Sequence, residues 1–308
     1  MKINKFSGSG FSILLLLSYL FIMGCDDTFE PLQENDQYHF SIYGYLDVSA
    51  DTQWVRVMPV REDIYIEPKP IDAVVTLEHM ESGESVVMND SLFSFPQGYV
   101  WNFWTTTALK SSQTYRLTAV SSSGSTSYAM ISLPDDFETP LVHIRFVGQE
   151  RTPTLTSIYI QGVERLADIR TVFYGPMSES GETNMTDISH LKDSTRSGSG
   201  RWQVYVNPLE DFQYLTTFLP FKPPVLLTEY LTPISPYKPK IYIASAGPGY
   251  HFFPSIDEKI IALPDGVSNV INGVGYVAGI ISKTVPYKNC ITEGTTDIEP
   301  CPLEPPPW

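Results

Sequence analysis

Short runs in which apolar residues recur at every second position constrain this chain more than any other feature. In Tyr38–Leu46, Phe40, Ile42 and Leu46 fall on one side, and in Gln53–Met58, Val55 and Val57 alternate with Trp54, Arg56 and Met58. Val75 and Leu77 oppose Thr76 and Glu78, while Tyr115, Leu117 and Ala119 share one phase. A period of two sends alternate side chains to opposite faces of an extended strand, so one face can be buried while the other stays wet. The runs are separated by SGES, NDS, SSSGS and LPDD, all rich in turn formers, and 25 prolines add breaks that an all-helical fold would not tolerate. The pattern predicts a mainly β protein. Residues 38–136 read as an antiparallel sandwich closed by Leu133-Pro134-Asp135-Asp136.

Residues 137–289 read as a second β-rich domain with one short helix. Strands are predicted at Leu141–Val147, Ser157–Gly162, Ile169–Tyr174, Trp202–Val206, Ile241–Ala246 and Gly273–Ser282. Asn207–Leu219 is the helix, with Pro208 in a first-turn position, acids early, and Leu209, Phe212, Leu215 and Leu219 on one side. The polar stretch Gly175–Gly200 and the proline-dense stretch Pro220–Pro239 read as loops. Residues 290–308 form a Pro-rich tail.

The amino terminus predicts where the protein resides. Lys2 and Lys5 precede the apolar run Phe11–Met23. That run is too short for a mature spanning helix, which needs about 20 apolar residues, and fits the apolar region of a signal peptide over residues 1–24. Ile22-Met23-Gly24-Cys25 resembles a bacterial lipobox, which implies diacylglyceryl transfer to the Cys25 thiol and anchoring in membrane lipid. Residues 25–37 then read as a tether. Its acids Asp26, Asp27 and Glu30 resemble the signal that sends Bacteroidota lipoproteins to the outer face of the outer membrane; the periplasmic face stays open as an alternative.

Removing residues 1–24 takes away two lysines and makes the formal charge of −15 more negative by two. With no basic cluster, nucleic acid is not expected as a partner. Of the three cysteines, Cys25 is assigned to lipid, and Cys290 and Cys301 are expected to pair as a disulfide in an oxidising compartment. Closing that loop would contribute about 2–3 kcal/mol in the chain-entropy picture.

Two stretches carry a family resemblance. LKSSQTYRLTAVSSSGSTSYAMISLPDD resembles the end of a carboxypeptidase-regulatory-like or immunoglobulin-like sandwich, which implies that fold for residues 38–136. VSNVINGVGYVAG resembles the C-terminal signature of a Bacteroidota lipoprotein family, domain of unknown function 4249, through Ser268, Asn269, Val270, Gly273 and Gly275, followed by Tyr276, Val277, Ala278 and Gly279. The order of lipobox, sandwich, second β-rich part and glycine motif is similar too. One departure is Gly-Pro-Gly-Tyr-His-Phe-Phe-Pro before the motif, where family members often have an aromatic helix. The resemblance implies an outer-membrane lipoprotein that acts beside a TonB-dependent transporter in capture or uptake.

The sequence carries no familiar catalytic signature. There is no Gly-x-Ser-x-Gly, His-Glu-x-x-His, Cys-x-x-Cys or phosphate-binding Gly-Lys-Ser/Thr. The five histidines, His39, His79, His143, His190 and His251, are not at ligand spacing, and no metal or cofactor is expected. Asp135, Asp136 and Glu138 read as a solvated hinge or, less simply, as calcium ligands. Tyr99-Val-Trp101-Asn-Phe103-Trp104 is the most informative cluster. In a strand, Tyr99, Trp101 and Phe103 would share one face and Trp104 the other. Tyr99, Trp101 and Trp104 are therefore candidate contacts to a glycan, peptide or protein partner, with a core-plus-domain contact as the competing reading. The expected role is a non-enzymatic binding or accessory protein. An adhesin or matrix component is the alternative, and a cryptic hydrolase is the third.

Overall fold

The computed structural model describes residues 38–60, 70–95, 98–140, 142–147, 152–153, 156–177, 183–218, 239–250, 268–286 and 288–291. The lipobox, the Cys25 tether, residues 219–238, His251 and Cys301 lie outside the described residues. The first strands are β1 (Phe40–Asp47), β2 (Gln53–Pro59), β3 (Val74–His79), β4 (Ser85–Val87), β5 (Asn89–Phe95), β6 (Gly98–Thr105), β7 (Thr114–Val120) and β8 (Thr126–Ser132). They continue with β9 (His143–Val147), β10 (Thr152–Pro153), β11 (Thr156–Ile160), β12 (Arg165–Met177), β13 (Thr183–Ser189), β14 (Ser194–Arg196) and β15 (Trp202–Val206). After helix α1 (Pro208–Phe218) come β16 (Lys240–Ala246), β17 (Val270–Ile271), β18 (Gly273–Pro286) and β19 (Lys288–Ile291).

One eight-stranded sheet, in the order β13-β12-β16-β18-β1-β2-β6-β5, organises the fold. Its inward face carries two cores. Phe40, Ile42 and Leu46 of β1, Val55 and Val57 of β2, and Trp101 and Phe103 of β6 pack with Val75, Leu77, Leu117, Ala129 and Ile131. These last residues come from a five-stranded sheet in the order β17-β8-β7-β3-β4, which completes the expected sandwich. Farther along the same face, Ile169 and Phe173 of β12, Ile241 and Ile243 of β16, and Ile281 and Val285 of β18 form a second core. It is covered by Ile158 and Ile160 of β11, Val204 and Val206 of β15, and Leu215 of α1. Val48 packs against both cores.

The sheet therefore runs across the division expected at residues 136 and 137. β1 pairs in parallel with β18, from Phe40 opposite Gly273 to Asp47 opposite Ile280. The glycine motif, expected in the second part, supplies a central strand to the first. A second correction concerns Gly175–Gly200, expected as a loop. It contains β13, the short 3-10 turn Leu191–Asp193 and β14. Its polarity is that of a terminal strand, with Met185 and Asp187 outward and Ile188 against the second core. The helix follows its sequence signals: Asn207 Oδ1 accepts Leu209 N at 3.3 Å and Glu210 N at 3.4 Å, an N-cap directly before Pro208.

The motif itself forms the corner between the two large sheets. β17 pairs with β8, and β18 begins two residues after it in the eight-stranded sheet. Asn269 stands in for a strand residue: its Nδ2 donates to Val277 O at 2.6 Å, and Val277 N donates to its Oδ1 at 2.9 Å. Asn272 turns the chain with φ of 54°, a left-handed value that asparagine tolerates. Its carbonyl accepts from the buried Ser127 Oγ at 2.5 Å, and that oxygen accepts Phe40 N at 3.1 Å. Gly275 has φ of 127°, and a Cβ there would lie 2.0 Å from Ile42 O. Ser268 Oγ accepts Val270 N at 3.4 Å. Ser268, Asn269, Gly273 and Gly275 thus hold backbone together.

Candidate functional site: an aromatic sheet face

The pleat that buries Ile42, Val55 and Phe103 turns their neighbours to the opposite face of the sheet. Gln53, only 1% exposed, locks the β1–β2 hairpin. Its Oε1 accepts Asp47 N at 2.9 Å, and its Nε2 donates to Asp47 O at 2.8 Å and Ala50 O at 3.1 Å. That register sets Tyr45 opposite Trp54, and the next ladder sets Trp54 opposite Trp104. The two indoles have centroids 6.0 Å apart, and Trp54 meets Phe93 of β5 edge-on at 5.8 Å. Trp104 Nε1 donates to Ser91 Oγ at 3.0 Å, fixing that ring. Tyr45 is 53% exposed, Trp54 42%, and Tyr43 and Phe93 each 40%.

Of the residues singled out in the sequence, Trp104 belongs to this face. Trp101 does not: it is 3% exposed inside the first core, because its phase is that of Phe103. Tyr99 is partly buried and packs against the same core. No crowding in the sequence marks Trp54, Tyr45 and Phe93. They come from three other strands and meet Trp104 only through register, although the outward phase of Trp54 beside Val55 was visible in the alternation.

Beyond β1 the same face continues with different chemistry. Tyr276, opposite Tyr43, donates its hydroxyl to Gly249 O at 3.1 Å, and Tyr250 donates to Ala167 O at 3.3 Å. Burial, reinforced by the charges of Tyr45, Tyr276 and Asp168, pushes the Tyr250 phenol up to about 12. Burial and then Asp168 raise Tyr45 as well. Burial also raises Asp168, against the opposing pull of Arg170, whose Nε lies 3.2 Å away. Arg170 in turn reaches Asp187 and lies over the Tyr242 ring.

Two histidines gather polar companions that sequence spacing did not bring together. His79 Nδ1 is 2.6 Å from Ser82 Oγ, and its Nε2 is 3.2 Å from Glu81. Ser82 also donates to Glu84 and accepts its N–H, so the group closes the β3–β4 turn. His190 Nε2 lies 2.8 Å from Thr171 Oγ1 and 3.3 Å from Asp211 Oδ2, joining β12, the residue after β13 and α1 inside the second core. Of the hinge acids, Asp135 accepts Ser112 Oγ at 2.5 Å, and Asp136 meets Lys283 at 2.9 Å. The hydrogen bond from Lys283 holds Asp136 below the usual carboxylate range. Lys283 Nζ also donates to Phe137 O. Cys290 stands on β19, but its side chain is outside the described residues.

No family model matches the sequence, and no curated protein matches it. Among solved structures, a pullulanase from Anoxybacillus sp. LM18-11 complexed with maltotriose aligns with TM-score 0.22 and 11% identity, over 55% of this chain and 22% of that one. The chicken CNTN1 FN1–FN3 domains align with TM-score 0.26 and 10% identity, over 80% of this chain and 63% of theirs. A titin fragment aligns with TM-score 0.19 and 12% identity, over 82% and 66%. At these scores none of the likenesses bears on what this chain does.

Proposed function

We propose that this chain is a lipid-anchored, surface-displayed outer-membrane protein that binds without catalysing, through the aromatic face of its eight-stranded sheet. The observation that carries the reading is the row of exposed Tyr45 and Trp54 beside the partly buried Trp104, set by strand register on the face opposite both cores. Large rings left partly in water are costly to keep unless a ligand or partner covers them, and Trp and Tyr dominate such contacts. The Ile22-Met23-Gly24-Cys25 lipobox supports the anchor, and the acids after it support display at the surface. Ser268, Asn269, Gly273 and Gly275 support membership of domain of unknown function 4249, and with it service to a TonB-dependent transporter. A Cys290–Cys301 disulfide belongs to the same reading.

Mass spectrometry of the native amino terminus tests the anchor: an acylated Cys25 as first residue is expected, and an unmodified thiol there contradicts it. Isolation from native membranes tests the accessory role. Recovery with a transporter is expected; recovery as a lone monomer contradicts it.

A further inference from the structure

We infer that the β1–β2–β6 part of this face binds a carboxylate-bearing glycan, with pyranose faces stacked on Trp54, Trp104 and Tyr45 and the sugar carboxylate held by Arg56. This names a ligand class for the binding face proposed above and rests on that reading. Arg56 sits at the centre of a small grid. Tyr43 lies opposite it on β1 and Asn102 on β6, while Trp54 and Met58 flank it along β2 on the same face. Same-face neighbours along a strand are about 6.6–6.8 Å apart, so one sugar ring resting on an indole reaches the guanidinium.

The charge pattern selects an anion. None of the residues around Arg56 in this grid is acidic. The Arg56 side chain is exposed, and among the described residues its guanidinium forms no hydrogen bond or ion pair, whereas Arg116 and Arg170 hold Glu78 and Asp168. Arg196 and Arg201 lie over aromatic rings. An unpaired guanidinium in a chain of formal charge −15 is complementary to an incoming carboxylate. Its planar fork takes that group with two parallel hydrogen bonds. Repulsion from the rest of the chain is screened beyond about 8 Å at physiological salt. Asp47 at the end of β1 and Asp168 beyond it hold the acids of this face at its other side, which confines an acidic ligand to the Trp54–Trp104 side.

The rings select a sugar. A uronic acid carries its carboxylate on the pyranose ring, so stacking and ion pairing act on one residue. Its equatorial hydroxyls meet Asn102 and the tyrosine phenols, while its C–H face meets indole. The full mature chain should be titrated with short oligomers of galacturonate, glucuronate and mannuronate, and with neutral oligomers of the same length. At least one acidic oligomer is expected to bind about tenfold or more tightly than its neutral counterpart. Arg56→Gln should erase that preference, Arg56→Lys should restore only part of it, and Trp54→Ala should abolish binding of both. Circular dichroism of each variant should be unchanged. Equal binding of acidic and neutral oligomers with no effect of Arg56→Gln overturns the carboxylate assignment while leaving the binding face intact. So does a peptide that binds the rings regardless of Arg56, and so does failure of every acidic oligomer to bind. Binding that persists in the Trp54→Ala, Trp104→Ala variant overturns the binding face itself.

Discussion

Trp54 and Trp104 stand directly opposite each other across the β2–β6 ladder, ring centroids 6.0 Å apart, on the face turned away from Trp101 and the core. The same short aromatic segment therefore serves two purposes. Trp54→Ala and Trp104→Ala should each remove ligand or partner binding while costing about 1–2 kcal/mol or less, the larger part for Trp104, which also loses its bond to Ser91. Trp101→Ala should cost about 3–5 kcal/mol through the void it leaves between the sheets. Denaturant unfolding and binding measured on all three variants check this separation. Equal destabilisation by all three would contradict it.

The glycine corner should be the least tolerant part of the chain. Gly275→Ala adds a Cβ 2.0 Å from Ile42 O in a backbone with φ of 127°, so β18 cannot keep its place beside β1. It should yield insoluble or protease-sensitive protein. Asn269→Ala loses both bonds to Val277 and leaves backbone groups unpaired, with an expected cost of about 1–3 kcal/mol. Asn269→Asp keeps the acceptor for Val277 N but sets a carboxylate oxygen against Val277 O, so it should cost at least as much as Asn269→Ala. Urea unfolding midpoints give the ranking.

Tyr250 predicts an alkaline limit. Its phenol is raised from 10.0 to about 12, chiefly by burial, so the folded state favours the protonated form. The unfolded chain ionises first. This contribution is fully present below pH 10 and is lost as pH rises through 12. Tyr45 and Tyr242, also raised, act in the same direction. Tyr250→Phe should flatten the fall in stability between pH 10 and pH 12, read as unfolding midpoint against pH. An unchanged slope would show that Tyr250 does not report on the packed face.

Much of the strand content was legible because burial on one side imposes a period of two. Phe40, Ile42 and Leu46, or Val55 and Val57, announce their strands without help from distant residues. What was not legible depends on pairing across the chain. Nothing near Gly273 shows that it will lie beside Phe40, and that parallel contact carries the sheet across the expected boundary. The stretch holding β13 reads as loop because a terminal strand can stay polar on its outward face. Trp104 was visible through its crowded neighbours. Trp54, Tyr45 and Phe93 were not, because the face they share is assembled by register from separate strands.

Replacing His190 tests the buried polar cluster of the second core. His190→Ala removes the imidazole that Thr171 and Asp211 share between β12 and α1, with an expected cost of about 1–3 kcal/mol. Binding at the aromatic face should be unaffected below the unfolding transition. A parallel loss of binding would show that the two parts of the sheet are coupled.

Oxidative footprinting of indoles, on intact native cells and on purified protein, tests the aromatic face most directly. In the purified chain Trp54 should react readily and the partly buried Trp104 more slowly, and both should be protected on cells, where the natural ligand or partner covers them, with Trp101 unreactive in both. Equal reactivity of Trp54 and Trp104 in the two settings would contradict the claim that this face is the working surface.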